Sequence, residues 1–115
     1  LNNDGFQDLV IASRTRNALE ILLGERSSAF REGPAAPGTG REPVAIIATQ
    51  LDGDGEVDFV TADATDGTLS LFLCDGSGNM FDVARIATGG EPTALVNFGD
   101  RIAVADRRNS RVLVY

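Results

Sequence analysis

The sequence contains no histidine, no tryptophan and a single cysteine, Cys74. Histidine is the commonest general base and a frequent zinc ligand, so its absence argues against triad chemistry and against a zinc site. A single cysteine excludes a disulfide within the chain. Because Cys74 ends an apolar segment, we expect it to be a small buried hydrophobic residue rather than a reactive thiol.

Basic residues and long apolar runs are also scarce. Ten Lys and Arg residues stand against 17 Asp and Glu residues, which gives a net charge of −7. That charge repels phosphate backbones and anionic membrane surfaces, so we expect no nucleic-acid partner. No apolar run approaches the roughly 18 residues that a membrane helix needs, so we expect no membrane insertion.

The residues that are present favour an all-β fold. The 115 residues are 43% hydrophobic, which is enough for the core of one ordinary domain. Thirteen glycines and a charged fraction of 23%, without a helical heptad pattern, are typical of short strands joined by tight turns.

The chain repeats itself. Residues 1–13, LNNDGFQDLVIAS, align without a gap over residues 51–63, LDGDGEVDFVTAD. The alignment continues with ALEILLG over TLSLFLC and with GREPVAI over GGEPTAL. A third copy keeps only the strand pair, RIAVAD and RVLVY, and lacks the acidic loop. A repeat of about 40 to 50 residues is the size of one four-stranded propeller blade.

Within the second copy, the pattern predicts four strands, A to D. They are expected at residues 44–49, 58–63, 68–74 and about 80–88. Strand A is apolar almost throughout, which predicts an inner strand covered on both faces. Strand C alternates with a period of two, so its leucines are expected on one face and Ser70 and Phe72 on the other. Asp63 and Asp66 are interpreted as turn residues.

The three copies predict about two and a half four-stranded antiparallel blades, a partial β-propeller. The units are residues 1–39 with strands B to D, residues 40–88 with all four strands, and residues 89–115 with strands A to C. A propeller typically needs 4 to 8 blades. We therefore expect the chain to be part of a longer protein whose remaining blades close the ring, or to close it with other copies of the chain.

The stretch QLDGDGEVD, residues 50–58, carries an oxygen-bearing side chain at every second position. Four carboxylates this close repel one another unless a cation relieves the repulsion. Ca²⁺ accepts six to eight oxygens from carboxylates, amides and main-chain carbonyls. Alternating positions of a tight loop point inward together, so one set of residues is expected to converge on Ca²⁺. These are the side chains of Gln50, Asp52, Asp54 and Asp58 and the main-chain carbonyl of Glu56.

A β-turn and an EF-hand are the alternatives to this calcium site. A β-turn of the Asp-Gly type would suit a hairpin and bind nothing. An EF-hand is rejected because Thr61 stands at the twelfth position, where a bidentate Glu is needed, and because strands rather than helices flank the loop. Two copies of the loop in register, each closing with Asp before a strand, favour the calcium site.

These residues resemble the FG-GAP or VCBS-type calcium-binding repeats of β-propellers, as in integrin α-subunit head domains. The matching features are Asp52, Asp54, Gly55 and Asp58 followed by the apolar FVTA. The resemblance implies one Ca²⁺ in the loop between strands A and B. In the first copy it implies a site at Asn2, Asp4, Asp8 and the carbonyl of Phe6, whose opening ligand would precede Leu1. The second copy departs from the family pattern at Gln50, where an Asp is expected. The third copy keeps a single carboxylate, Asp100, and also resembles an NHL-type blade.

The resemblance favours a non-enzymatic binding module with protein or carbohydrate ligands. The alternative is a structural propeller segment of a larger secreted enzyme, and the sequence offers no nucleophile and base pair to support it. Loops of this type bind calcium with dissociation constants near 10⁻⁴–10⁻³ M in extracellular modules. Such sites fill outside cells and not in the cytosol, so we expect a secreted or cell-surface location.

Overall fold

The computed structural model describes the whole chain, residues 1–115, and contains ten β-strands and no helix. In chain order the strands are β1 (Leu9–Ser13), β2 (Ala18–Gly24), β3 (Phe30–Glu32), β4 (Pro43–Thr49), β5 (Asp58–Asp63), β6 (Thr68–Cys74), β7 (Met80–Ala87), β8 (Pro92–Phe98), β9 (Arg101–Asp106) and β10 (Arg111–Val114). The all-β prediction is confirmed. The structure has no helix of the length and apolarity that crossing a membrane requires.

The strands form three antiparallel sheets that follow one another along the chain. The first sheet has the order β1-β2-β3, the middle sheet has the order β4-β5-β6-β7, and the third sheet has the order β8-β9-β10. Each strand therefore pairs with its neighbour in sequence, as hairpin loops of a few residues allow. Strands β4 to β7 coincide, within one residue at each end, with strands A to D predicted for the second copy.

Two clusters of buried side chains lie on the two faces of the middle sheet. Towards the first sheet, Phe59 and Phe72 pack with three residues of β2, namely Leu19, Ile21 and Leu23. Towards the third sheet, Val60, Ala62 and Leu69 pack with Val104 of β9. Burial of one such large apolar side chain contributes about 1.5–3 kcal/mol. These two clusters hold the three sheets together.

The period-two prediction for strand C is confirmed. Leu69 and Leu71 face the third sheet, whereas Phe72 and Cys74 face the first sheet. The strand is apolar on both faces because each face is covered by a neighbouring sheet. Ser70, on the same face as Phe72, is buried as well and donates a hydrogen bond to Asp63.

The prediction that strand A is covered on both faces is confirmed only in part. Ile46 packs against one apolar cluster and Ala45 and Ile47 against the other, but their burial is incomplete. Strand β4 is the edge strand of the middle sheet, and Val44 is 37% exposed. The strand with two fully covered faces is β5, in which all six residues are buried. The central position explains this burial, because β5 pairs with β4 and β6 and lies between both apolar clusters.

Polar contacts also connect neighbouring sheets. The side-chain oxygen of Asn17, in the turn after β1, accepts a hydrogen bond of 2.8 Å from the backbone N–H of Glu42. The side-chain amide of Asn97, on β8, donates a 2.8 Å hydrogen bond to the carbonyl of Ala48 on β4. One contact satisfies a backbone group of the residue just before β4 and the other a backbone group within β4, and together they fix the sheets relative to one another.

Candidate metal centre

The acidic loop of the second copy connects β4 to β5. The last residue pair of the two strands is Thr49 with Asp58, so the residues between them form the hairpin loop. Gly53 and Gly55 adopt positive φ angles of 79° and 92°. A side chain is strained at these angles, and glycine is not, so the two glycines allow the loop to fold back on itself.

Three carboxylates meet in this loop. Asp52, Asp54 and Asp58 each offer one oxygen, and these three oxygens lie within 4.8 Å of one another. Ca²⁺ binds oxygen at 2.3–2.6 Å, so two ligands on opposite sides of one ion lie about 4.6–5.2 Å apart. The spacing therefore fits three oxygens around a single calcium ion. Asp52 and Asp54 are exposed, which leaves an open path for an ion, and Asp58 is buried.

Local hydrogen bonds hold the two exposed carboxylates in place. Asp52 accepts a 3.1 Å hydrogen bond from the backbone N–H of Asp54. Asp54 accepts a 2.8 Å hydrogen bond from the backbone N–H of Glu56. Both bonds are Asx turns, in which a side-chain oxygen binds the backbone two residues later. Each carboxylate uses one oxygen in its turn and retains acceptor capacity on the other.

Asp58 connects the loop to the far end of the next hairpin. Its two oxygens accept hydrogen bonds of 2.7 Å from the N–H of Leu51 and 3.1 Å from the N–H of Cys74. Because both donors belong to the main chain, Asp58 fixes the backbone at both sides of the loop. Hydrogen bonds to a charged acceptor contribute about 1.5–3 kcal/mol each. The sequence indicated Asp58 as a ligand and gave no sign of this second contact.

Gln50 and Glu56 contact each other within the loop. The side-chain amide nitrogen of Gln50 donates a 2.6 Å hydrogen bond to the carbonyl of Glu56, and its side-chain oxygen accepts from Gly53. The structure thus brings both predicted ligands into the loop, but as partners of one another.

The acidic loop of the first copy repeats these contacts. Asp4 accepts a 2.9 Å hydrogen bond from the backbone N–H of Phe6, as Asp54 does from Glu56. Asp8 accepts hydrogen bonds of 2.7 Å from the Leu1 nitrogen and 2.9 Å from the N–H of Gly24. Leu1 and Gly24 align with Leu51 and Cys74 in the repeat, so Asp8 is the counterpart of Asp58.

Asn2 supplies an acceptor without a partner in the first loop. Its side-chain nitrogen donates a 3.1 Å hydrogen bond to Asp4, while its side-chain oxygen is buried and makes no hydrogen bond. A buried oxygen without a donor costs free energy unless something else satisfies it. A cation beside Asp4 and Asp8 would satisfy this oxygen, so the first loop also fits a metal ion.

The third copy has a short hairpin at the corresponding position. Strand β8 ends at Phe98 and β9 begins at Arg101, so only Gly99 and Asp100 form the turn. One carboxylate remains there, and Arg101 occupies the place of the closing Asp.

The two acidic loops also contact each other. The side-chain nitrogen of Asn3 lies 3.1 Å from the Glu56 carboxylate and 3.3 Å from the carbonyl of Gly76. Asn3 aligns with Gly53 and shares its positive φ, at 56°. Asn tolerates this region better than most residues, and it adds a side chain that reaches the neighbouring loop.

At the other end of β5, Asp63 forms a buried polar cluster that sequence reasoning missed. The sequence predicts a turn residue at this position, but Asp63 ends the strand, is fully buried and accepts hydrogen bonds from three hydroxyls. The donors are Thr61, Thr68 and Ser70. A period-two pattern around Thr61 and Asp63 is the only signal that could have indicated it. This cluster satisfies a buried carboxylate and stabilises the strand end.

Cys74 is buried, as its position at the end of an apolar strand predicted. Burial, followed by the nearby Asp58 carboxylate, raises the pKa of the Cys74 thiol to about 11. The thiol is therefore protonated at neutral pH, and only the thiolate is a good nucleophile.

A comparison with known protein families supports the interpretation of the two acidic loops as parts of one repeated unit. The family model described as FG-GAP-like repeat matches residues 1–61, which include both acidic loops and strands β1 to β4. No curated protein and no solved structure shows a significant match to the chain. The matched segment is just over half of the 115 residues. The chain therefore belongs to the FG-GAP-like repeat family.

Proposed function

We propose that this chain is a calcium-stabilised β-propeller module that binds protein or carbohydrate ligands outside the cell. The observation that carries the calcium part is the cluster of Asp52, Asp54 and Asp58, whose oxygens lie within 4.8 Å of one another. Family membership, through the FG-GAP-like repeat, supports the propeller part.

The arrangement of the sheets supports three blades. Each sheet is antiparallel, its strands follow the order of the sequence, and the middle sheet has the four strands of a complete blade. On this proposal the blades are residues 1–39, 40–88 and 89–115, and the first and third lack one strand each. The middle sheet packs on both of its neighbours face to face, as adjacent blades do.

The chemistry of the donors favours Ca²⁺ over other metals. All donors are oxygens, which suit hard cations, and the loops contain neither the thiolates nor the imidazoles that zinc and copper prefer. Mg²⁺ demands a stricter octahedral arrangement at 2.0–2.1 Å. In the second loop the ligands would be Asp52, Asp54 and Asp58. The Gln50 side-chain oxygen and the Glu56 carbonyl would complete the set, in place of the hydrogen bond that joins the Gln50 amide nitrogen to that carbonyl.

In the first loop the ligands would be Asn2, Asp4, Asp8 and the carbonyl of Phe6. The buried free oxygen of Asn2 supports this set. Bound Ca²⁺ would supply positive charge to both loops, and the chain's own residues would hold the hairpins. Asp58 and Asp8 also bind main-chain N–H groups, so these two residues would link the ion to the backbone of the hairpins.

The role of the ion is therefore stabilisation rather than catalysis. With a dissociation constant of 10⁻⁴–10⁻³ M and about 1 mM calcium, one site contributes roughly 0.4–1.4 kcal/mol. Sites this weak fill at extracellular calcium concentrations, which supports a secreted or cell-surface location. The protonated, buried Cys74 supports a non-enzymatic role, because the chain's one thiol is not an activated nucleophile.

Thermal unfolding tests the calcium proposal. EDTA is expected to lower the melting temperature, and Ca²⁺ is expected to restore it far more effectively than Mg²⁺ at the same concentration. Differential scanning calorimetry in matched buffers measures both effects. Identical melting curves with EDTA and with excess Ca²⁺ would remove calcium from the proposal.

A further inference from the structure

The two acidic loops meet at a third segment, the turn between β6 and β7 at residues 75–79. The backbone N–H of Gly78 in this turn donates a 3.1 Å hydrogen bond to the carbonyl of Leu1 in the first copy. A Cβ on Gly76 would lie 2.8 Å from the carboxylate carbon of Glu56, so the second loop packs directly on the same turn. Both candidate calcium loops therefore contact one short segment of the chain.

Asn3 joins the two loops at this turn. Its side-chain nitrogen lies 3.3 and 3.1 Å from the two carboxylate oxygens of Glu56 and 3.3 Å from the carbonyl of Gly76. One side chain of the first loop thus contacts the second loop and the turn together. The equivalent residue of the second copy is Gly53, whose Cβ position has no atom within 4 Å. The bridge between the loops is therefore formed by Asn3 alone, without a counterpart in the second copy.

This bridge lies beside proposed calcium ligands at both of its ends. Asn3 stands between Asn2 and Asp4, two ligands of the proposed first site, and Glu56 supplies a carbonyl to the proposed second site. The side-chain oxygen of Asn2 is buried and has no partner, which is an indication of a ligand in the first loop that does not depend on its carboxylates. Ligation of Asn2 and Asp4 restricts the backbone of Asn3, and ligation of the Glu56 carbonyl restricts the Glu56 side chain.

We propose that Asn3 couples the two calcium sites, so that an ion in one loop raises the calcium affinity of the other. Ordering the side chains of Asn3 and Glu56 costs conformational entropy, which opposes binding of the first ion and no longer opposes binding of the second. Linkage requires the same factor in both directions. Because the contact is exposed, we expect a factor of only about two to five. The coupling rests on the calcium sites proposed above.

Repulsion between the two ions acts in the opposite direction. The carboxylates of each loop offset the charge of their own ion, and at 0.15 M ionic strength the screening length is about 8 Å. Asn3→Gly removes the contact and leaves every charge in place. The comparison of wild type with Asn3→Gly therefore isolates what the contact contributes.

A calcium titration followed by NMR tests the coupling. In the full chain labelled with ¹⁵N, at 0.15 M salt, the amide signals of Gly5 and Gly55 report the two loops separately. Disabling one loop with Asp4→Ala or Asp54→Ala is expected to raise the calcium dissociation constant of the other about two- to fivefold. Asn3→Gly is expected to remove this increase. Folding is retained in that variant, because glycine readily adopts the φ of 56° at this position.

Glu56 provides the matched variants at the other end of the contact. Glu56→Ala removes the carboxylate acceptor and is expected to remove the coupling as Asn3→Gly does, and the double variant is expected to lose nothing further. Glu56→Gln keeps an acceptor oxygen and is expected to retain coupling. The coupling factor compares one loop with and without a functional neighbour, so a change in the affinity of the loop itself cancels.

Coupling of wild-type size in Asn3→Gly would overturn the proposal, and so would equal dissociation constants with and without a functional neighbouring loop. A Gly5 signal that does not respond to calcium would also overturn it, because a single site cannot be coupled. In each of these cases a response of Gly55 leaves the calcium proposal standing. If neither glycine responds, the calcium proposal fails together with the coupling.

Discussion

Asp54 and Asp58 differ in burial and in hydrogen bonding, and this difference gives the sharpest test of the candidate metal centre. Both belong to the carboxylate cluster, but Asp54 is exposed and Asp58 is buried. Asp58 also holds two main-chain N–H groups, those of Leu51 and Cys74. We therefore expect Asp54→Ala and Asp58→Ala to remove the second loop's share of the calcium response alike, to leave a share from the first loop, and to differ strongly without calcium.

The expected magnitudes follow from these contacts. Each buried N–H group left without an acceptor costs about 1–3 kcal/mol, so Asp58→Ala is expected to cost about 2–6 kcal/mol in EDTA. Asp54→Ala removes only a hydrogen bond at the surface, where water replaces it. Its effect on the free energy of unfolding in EDTA is expected to stay within about 0.5 kcal/mol. In 1 mM calcium, Asp54→Ala loses the further 0.4–1.4 kcal/mol, roughly, that one site contributes.

Urea denaturation in EDTA and in 1 mM CaCl₂ measures these free energies of unfolding. Asp58→Asn is the matched control, because its one carbonyl oxygen retains one of the two N–H bonds, and its cost in EDTA should lie between those of the two alanine variants. Equal stability of Asp54→Ala and Asp58→Ala in EDTA would refute the main-chain role of Asp58. A full calcium response in Asp54→Ala would refute its role as a ligand.

Two further predictions concern buried carboxylates away from the metal centre. A Cβ on Gly40 would lie 2.6 Å from a carboxylate oxygen of Asp63, so Gly40→Ala is expected to lower the free energy of unfolding by about 1–3 kcal/mol. The control is Gly38→Ala, whose Cβ would have no atom closer than 3.5 Å and which is expected to be nearly neutral. Urea denaturation measures both. The hydrogen bond from the Asn109 side chain, followed by that from the Glu91 N–H, holds the pKa of Asp106 well below its ordinary value. Because the folded-state pKa is the lower one, Asp106 contributes stability above about pH 4 that is lost as the pH falls further. The stability difference between wild type and Asp106→Asn should therefore shrink between about pH 5 and pH 3, and a constant difference would contradict this explanation.

The strands were predictable from the sequence because the same pattern occurs in two copies. A period of two in residues 68–74 and the proline and glycine residues at the turns indicated the strands of the middle sheet to within one residue. Repetition also placed the acidic loops in register. These features are local, so they can be read along a single stretch of chain.

The contacts that sequence reasoning missed join residues distant in sequence. Asp58 binds the N–H of Cys74, 16 residues away, and Asn3 reaches Glu56 across 53 residues. Neither contact leaves a periodic signal. The predicted burial of β4 was too complete for a related reason, since apolar composition does not show whether a strand lies at the edge or in the middle of a sheet.

The complete burial of β5 has a consequence for the order in which the molecule opens. Its backbone is paired with strands on both sides, and its side chains are covered from above and below. Fraying of β1 or β10 exposes neither the backbone nor the side chains of β5. The amide protons of β5 should therefore exchange with deuterated water only when the entire fold opens. Exchange at Val60 would thus report global stability, while exchange at Leu113 would report local fluctuation of an outer strand.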